Sequence, residues 1–288
     1  MRLRSLVCVL VVVLAVFVCC TQYIFAAVHT LPSAAKIAFY RMCTLIDPPK
    51  VWTRITPAVG QALLVMLHGL NSHPIQFEVH RRRLKEEGVA WPCYVPFLSC
   101  RGNDTIDNVL NPVKDAILTF ASQNGPDVPI IIWGHSNGAR LAGILEVYLR
   151  YTCSNPVMIS AVAGPFYGTN VIDKVAFIPL SIGMVRRNLV DEMRYLSGFA
   201  MKVVRDMAAP TSRIRKHYFY GSDQDEMVRP VTTSLPIINC GETRIRLQGH
   251  SHISINDAVA SHQIMTSIDF VRRCRRLLKE KLGRPLGL

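Results

Sequence analysis

No Cys-x-x-Cys pair occurs anywhere in the 288 residues, although the chain carries nine cysteines. Thioredoxin chemistry and cysteine-rich structural zinc sites use that spacing, so neither is indicated, and no cofactor or metal is expected. Internal repeats are also missing, which removes solenoids and other repeat arrays. Acidic charge is scarce, with 20 Asp and Glu against 33 Lys and Arg, leaving a net charge of +13. Such an excess raises the question of nucleic acid. No reader motif or aromatic interleaving accompanies it, and no nucleic-acid partner is expected.

Hydrophobic residues, by contrast, make up 50% of the chain, and the N-terminus explains part of the excess. Arg2 and Arg4 precede an apolar run over residues 6–20, which resumes over 23–28. A bilayer span needs about 20 apolar residues, so residues 1–28 read as an uncleaved signal anchor. A cleaved signal peptide, ending at the small residues Ala26 and Ala27, is the alternative. Residues 29–48 then form a membrane-proximal linker, closed by Pro48-Pro49, and 49–288 form the globular domain. Near the C-terminus Arg272, Arg273, Arg275, Arg276, Lys279, Lys281 and Arg284 face a single acid, Glu280, while Phe270, Val271, Cys274, Leu277 and Leu278 recur at helical spacing. That pattern describes a terminal helix packed on a sheet with a solvated basic face. The same face would be attracted to anionic lipid head groups. Cys93 and Cys100 flank an expected strand and would pair only in an oxidising compartment, where Asn103-Asp104-Thr105 would also be a glycosylation sequon.

Within the domain, short apolar runs alternate with helical patterns, as βαβ units of a largely parallel sheet require. Strands are expected over 62–67, 93–98, 128–133, 157–162, 216–220 and 243–247, with helices over 105–123 and 139–151. Pro96 makes the second strand irregular. Residues 167–210 turn helical and apolar, too long for a simple connection, and read as a cap or lid insertion.

Residues 134–138 spell Gly-His-Ser-Asn-Gly. The pentapeptide alone is a weak signal, but the apolar run before it and the helical pattern after it supply the strand-to-helix turn on which a nucleophilic Ser136 would sit. A serine nucleophile needs a base, an orienting acid and N–H donors for the oxyanion. Two acids, Asp223 and Asp225, follow the expected strand ending at Gly221, and Asp225 has the better spacing to Val228-Arg229-Pro230. Two histidines, His250 and His252, follow the last strand, and His252 begins a His-x-Ser-Ile pattern. Asp225 and His252 are preferred, with Asp223 and His250 as alternatives. The oxyanion donors are expected to be the backbone amides of Asn137 and Leu70, with Gly69 letting the loop after the first strand approach closely.

These stretches, together with Gly164-Pro165-Phe166-Tyr167-Gly168-Thr169, resemble the α/β-hydrolase superfamily over roughly residues 60 to 275. Within it they are similar to the lipase-like branch that includes GPI inositol-deacylases and bacterial triacylglycerol lipases. The resemblance implies a mostly parallel sheet flanked by helices and a helical cap. It also implies an ester substrate, lipid or long-chain acyl, cleaved through an acyl-enzyme on Ser136. A thioesterase or amidase using the same residues, or a tethered binding protein without turnover, are the competing functions.

Overall fold

The computed structural model describes residues 62–172, 186–211 and 214–281. The expected anchor, the linker and the start of the domain at residue 49 lie outside the described residues, as does the middle of the 167–210 insertion. Among the described residues, no helix is long and apolar enough to cross a membrane.

The apolar run after residue 61 forms β1 (Leu63–Leu67), whose five residues are all buried. Alternation is absent because the strand is covered on both faces, as parallel sheets require. The other strands are β2 (Cys93–Tyr94), β3 (Ile130–His135), β4 (Val157–Val162), β5 (Arg215–Ser222) and β6 (Thr243–Leu247). They pair in the order β2-β1-β3-β4-β5-β6, and every pairing is parallel. Residues 93–98 were expected as one strand, yet only Cys93 and Tyr94 pair with β1. Pro96, lacking an N–H, cannot continue the ladder.

Helices α1 (Glu78–Glu86), α2 (Ile106–Asn124) and α3 (Asn137–Leu149) connect the first four strands, and α4 (Arg187–Met193) and α5 (Gly198–Ala208) follow β4. The short α6 (Ser254–Ala258) and the long α7 (Ala260–Lys281) follow β6. The Thr105 hydroxyl caps α2 by accepting from the Asn108 amide. Pro112 is tolerated inside α2 because it lies on the exposed side, where water can serve the carbonyl that loses its donor.

Two apolar layers sandwich the sheet. On one face Val109, Ile117, Leu141 and Leu145 of α2 and α3 and Val203 and Met207 of α5 pack against Leu63, Ile130, Ile159 and Phe219. On the other, Phe77, Leu84 of α1, and Ile264, Phe270, Val271 and Cys274 of α7 pack against Leu64, Met66, Ile131 and Trp133. Removing such side chains from water contributes about 25 cal/mol per Å² of apolar surface, which is what holds α7 on the sheet. Its arginines at 272, 273, 275 and 276 and Lys279 are left exposed. Cys93 and Cys100 are free thiols.

Register places the function-bearing loops at one edge. Leu67 pairs with Gly134, Gly134 with Ala161, and Val162 with Tyr220. The C-terminal ends of β1, β3, β4 and β5 are therefore level, and the residues just beyond them meet. In open α/β sheets that edge is where ligands bind.

Candidate active site

Ser136 follows β3 and precedes α3 with φ 58° and ψ −129°, a conformation that L-residues rarely adopt. Its amide is fixed by donating to the Val162 carbonyl at 2.8 Å, and its own carbonyl accepts from the Ala139 amide at 2.9 Å. The glycines on either side are required sterically. A Cβ on Gly134 would sit 2.6 Å from the Ala139 Cα, and one on Gly138 would overlap the Leu67 carbonyl oxygen. Those two missing side chains let α3 start directly against the ends of β1 and β3. The turn thus holds the Ser136 hydroxyl above the sheet edge, half-buried and accessible.

Asp225 follows β5 and His252 follows β6. His252 Nε2 lies 2.9 Å from Ser136 Oγ, and its Nδ1 lies 2.8 and 3.1 Å from the two carboxylate oxygens of Asp225. The carboxylate can only accept, so Nδ1 carries the proton and Nε2 is free to accept from the serine hydroxyl. The Met227 and Val228 amides each donate to Asp225 Oδ1 at 2.8 Å, which orients the carboxylate toward the imidazole. Burial would raise the Asp225 pKa, but the His252 charge and hydrogen bond and the two amides outweigh it and hold the acid below its ordinary range. Burial pushes the His252 pKa down, yet Asp225, with a smaller contribution from Glu226, lifts it above the usual imidazole value.

The alternatives lie elsewhere. Asp223 pairs with the exposed Arg246, with contacts of 2.6 to 2.9 Å. His250 contributes its carbonyl, which accepts from the Ser222 hydroxyl at 2.6 Å. The structure brings neither to Ser136.

The loop after β1 closes on the serine from the opposite side. A Cβ on Gly69 would stand 3.0 Å from Ser136 Cβ and 3.4 Å from its Oγ, so a side chain here would press on the nucleophile and glycine lets the loop approach without displacing it. The next residue, Leu70, and the first residue of α3, Asn137, offer amides with no acceptor among the described residues. An unused amide at a helix start is a ready donor to an anion. The fully buried His68 braces this loop: its Nε2 accepts from the Leu98 amide at 3.1 Å and its Nδ1 faces the Gly69 carbonyl at 2.9 Å. Desolvation lowers its pKa to about 4, keeping it a neutral tie.

Three contributors were not visible in the motif reading as site residues. His135 donates from Nε2 to the His252 carbonyl at 2.7 Å and its ring lies 4.9 Å from that of His252. Desolvation, reinforced by the His252 charge, lowers its pKa to about 3, so no second cation competes beside the first. Glu226 accepts from the His252 amide at 3.0 Å. Arg140 lies in the first turns of α3 and is buried. An arginine in the otherwise apolar run Ala139-Arg140-Leu141-Ala142 was the one sequence signal for it.

No protein-family model and no curated protein sequence matches the chain. Solved structures do. Est1E from Butyrivibrio proteoclasticus, determined with ferulic acid bound, superposes with a TM-score of 0.52 at 15% identity, over 78% of this chain and 94% of its own. A structure from the study of LipS and LipT, two metagenome-derived lipolytic enzymes, gives 0.52 at 12% identity over 74% and 94%. The lin2722 gene product of Listeria innocua gives 0.51 at 11% over 73% and 94%. Together with the all-parallel six-stranded sheet, these define the α/β-hydrolase fold. Sequence identity at this level carries the fold and leaves the activity to the site.

Proposed function

We propose that the protein is a membrane-associated serine hydrolase that cleaves carboxylic esters, with lipid or long-chain acyl esters as its substrate class. The hydrogen-bonded series Ser136–His252–Asp225 on a strained turn carries this reading. Ser136 Oγ attacks the ester carbonyl while His252 Nε2 takes its proton. Asp225 holds the imidazolium that forms. The Asn137 and Leu70 amides receive the negative charge on the carbonyl oxygen, where one such donor contributes about 3 kcal/mol to the transition state. His252 returns the proton to the leaving alcohol, and water releases the acyl group from Ser136 by the same steps in reverse order of roles.

Two features favour a lipid substrate. Ile172, Leu189, Val190 and Met193 of the insertion form an apolar cluster against Leu70, beside the oxyanion loop. Residues 6–28 are apolar enough to hold the enzyme at a bilayer where such esters reside.

The test is hydrolysis of p-nitrophenyl esters from acetate to palmitate by the full-length protein, with Ser136→Ala, His252→Ala and His250→Ala alongside. Specificity should rise with chain length, and only the first two variants should lose activity. A strict preference for acetate would remove the lipid assignment. Undiminished turnover by Ser136→Ala would remove the nucleophile. A matched thioester and oxoester pair separates thioesterase from esterase action, and resistance of the protein to carbonate extraction from membranes checks the anchor.

A further inference from the structure

Arg140 has an environment that stability does not explain. It is 1% exposed and lies on α3, four residues beyond Ser136, which precedes that helix. Its Nε–H donates to Asn137 Oδ1 at 3.0 Å. Its Nη1 reaches Glu192 of α4 at a long 3.4 Å, and the guanidinium carbon stands 5.6 Å from the centre of the Phe199 ring in α5. Nη2 is buried without an acceptor. A guanidinium held by one long ion pair, with an unused donor, is poorer for folding than an apolar side chain of similar volume. What the arginine does instead is connect. Asn137 is gripped at both ends of its amide, by Arg140 at Oδ1 and by the Gly102 carbonyl, which accepts from Nδ2 at 3.2 Å. Next to Gly102, the Arg101 carbonyl accepts from the Asn71 amide at 2.9 Å, which ties in the loop carrying Gly69 and Leu70.

We propose that Arg140 is a positioning residue that registers the cap on the nucleophile turn. Glu192 and Phe199 hold its guanidinium from the cap side, and its Nε–H sets the orientation of Asn137, whose backbone amide faces the developing oxyanion. The inference rests on the serine-hydrolase reading of Ser136. It makes the cap a part of the catalytic geometry as well as a cover over it: a displaced cap releases Arg140, and a released Arg140 leaves Asn137 held at one end only.

The experiment compares full-length wild type with Arg140→Met, Arg140→Lys, Glu192→Gln and the Arg140→Met/Glu192→Gln double variant. Active sites are titrated with a fluorophosphonate, and kcat and KM are measured on p-nitrophenyl butyrate with melting temperatures in parallel. Loss of an oriented oxyanion donor lowers kcat, so Arg140→Met should lose about 10- to 100-fold per titrated site, with KM little changed. Its melting temperature should hold or rise. Lysine should not rescue, because an ammonium cannot supply the fork that spans Asn137 and Glu192. Glu192→Gln should show a smaller loss in kcat, and the double variant should be no worse than Arg140→Met alone, since both act through one contact chain. If Arg140→Met proves unfolded, Glu192→Gln, at a side chain 25% exposed, carries the same readout. Wild-type kcat per titrated site in the variants, with melting temperature alone reduced, would overturn the proposal and leave the enzyme reading standing. A wild type that neither labels nor hydrolyses esters would overturn both.

Discussion

Replacing Asp225 with asparagine isolates the acid's role without changing its shape. In the wild type, Asp225 Oδ1 accepts from the Met227 and Val228 amides while Oδ2 receives the His252 Nδ1–H at 2.8 Å. Asparagine keeps its carbonyl oxygen on the two amides, which directs its NH2 group at Nδ1. That nitrogen must then accept, so the imidazole proton moves to Nε2 and points at Ser136. The serine hydroxyl loses its base, and the imidazolium loses the charge that stabilises it. A misdirected tautomer of this kind costs about 10⁴-fold in kcat, equivalent to about 5.4 kcal/mol in the barrier. KM for a short ester should stay nearly constant, because the acid does not touch substrate. The pH profile supplies a second, independent readout. His252 acts as a base only when neutral, and Asp225 is what lifts its pKa above 6.5 against the effect of burial. The acid limb of kcat/KM should therefore fall above pH 6.5 in the wild type and move to lower pH in the variant. Stopped-flow or steady-state ester hydrolysis between pH 4 and 9 measures both. Asp223→Asn, which disturbs only an exposed pair with Arg246, is the control and should behave as wild type. Retention of activity within about tenfold in Asp225→Asn, or a greater loss in Asp223→Asn, would rule out Asp225 as the acid that orients His252.

Two further outcomes concern the scaffold. Gly138→Ala places a methyl group on the Leu67 carbonyl oxygen, and the backbone there cannot yield, so the loss should exceed about 4 kcal/mol and leave little folded protein by circular dichroism; a normal melting curve would contradict the steric account of the turn. Glu146 is fully buried in α3, bonded to Arg150 Nη2 at 2.6 Å and Nε at 2.9 Å and facing His217, while Arg150 also donates to the carbonyls of Asp206, Met207 and Ala209 at the end of α5. Glu146→Ala strands that guanidinium and should cost about 3–5 kcal/mol in urea denaturation, with less than about 1 kcal/mol counting against a buried pair. Although burial opposes it, His217 and Arg150 hold the Glu146 carboxyl well below its ordinary 4.5, so this contribution is present above pH 4.5 and is lost as the pH falls through the depressed value.

The central strands were legible because fully buried parallel strands need uninterrupted apolar runs, and residues 157–162 form β4 with the bounds expected. Residues 243–247 also form β6 as expected, although this edge strand alternates half-buried and exposed residues and carries two arginines. Periodicity did not show that β3 runs on through Gly134 and His135, since that extension comes from pairing with Leu67 and Val162 on its neighbours. The turn at Ser136 was readable for a steric reason, its two glycines, and steric demands leave marks in sequence. His252 was preferred over His250 and Asp225 over Asp223 on spacing and local pattern, and the geometry joins that pair to Ser136, but the physical cause of the selection was not legible. Residues two apart in a loop share composition and differ only in direction, which here is set by the Glu226 carboxylate on the His252 amide and the two amides on Asp225. Arg140 was hidden for another reason: its partners Glu192 and Phe199 come from α4 and α5, more than fifty residues further along the chain.

The proposed function turns on whether Ser136 is an activated nucleophile. Intact-mass analysis of the folded full-length protein after treatment with a fluorophosphonate tests this most directly. A single phosphonyl adduct on the wild type, mapped to Ser136 and missing from Ser136→Ala, is the predicted result. No adduct on the folded wild type, or equal labelling of Ser136→Ala, would contradict the account.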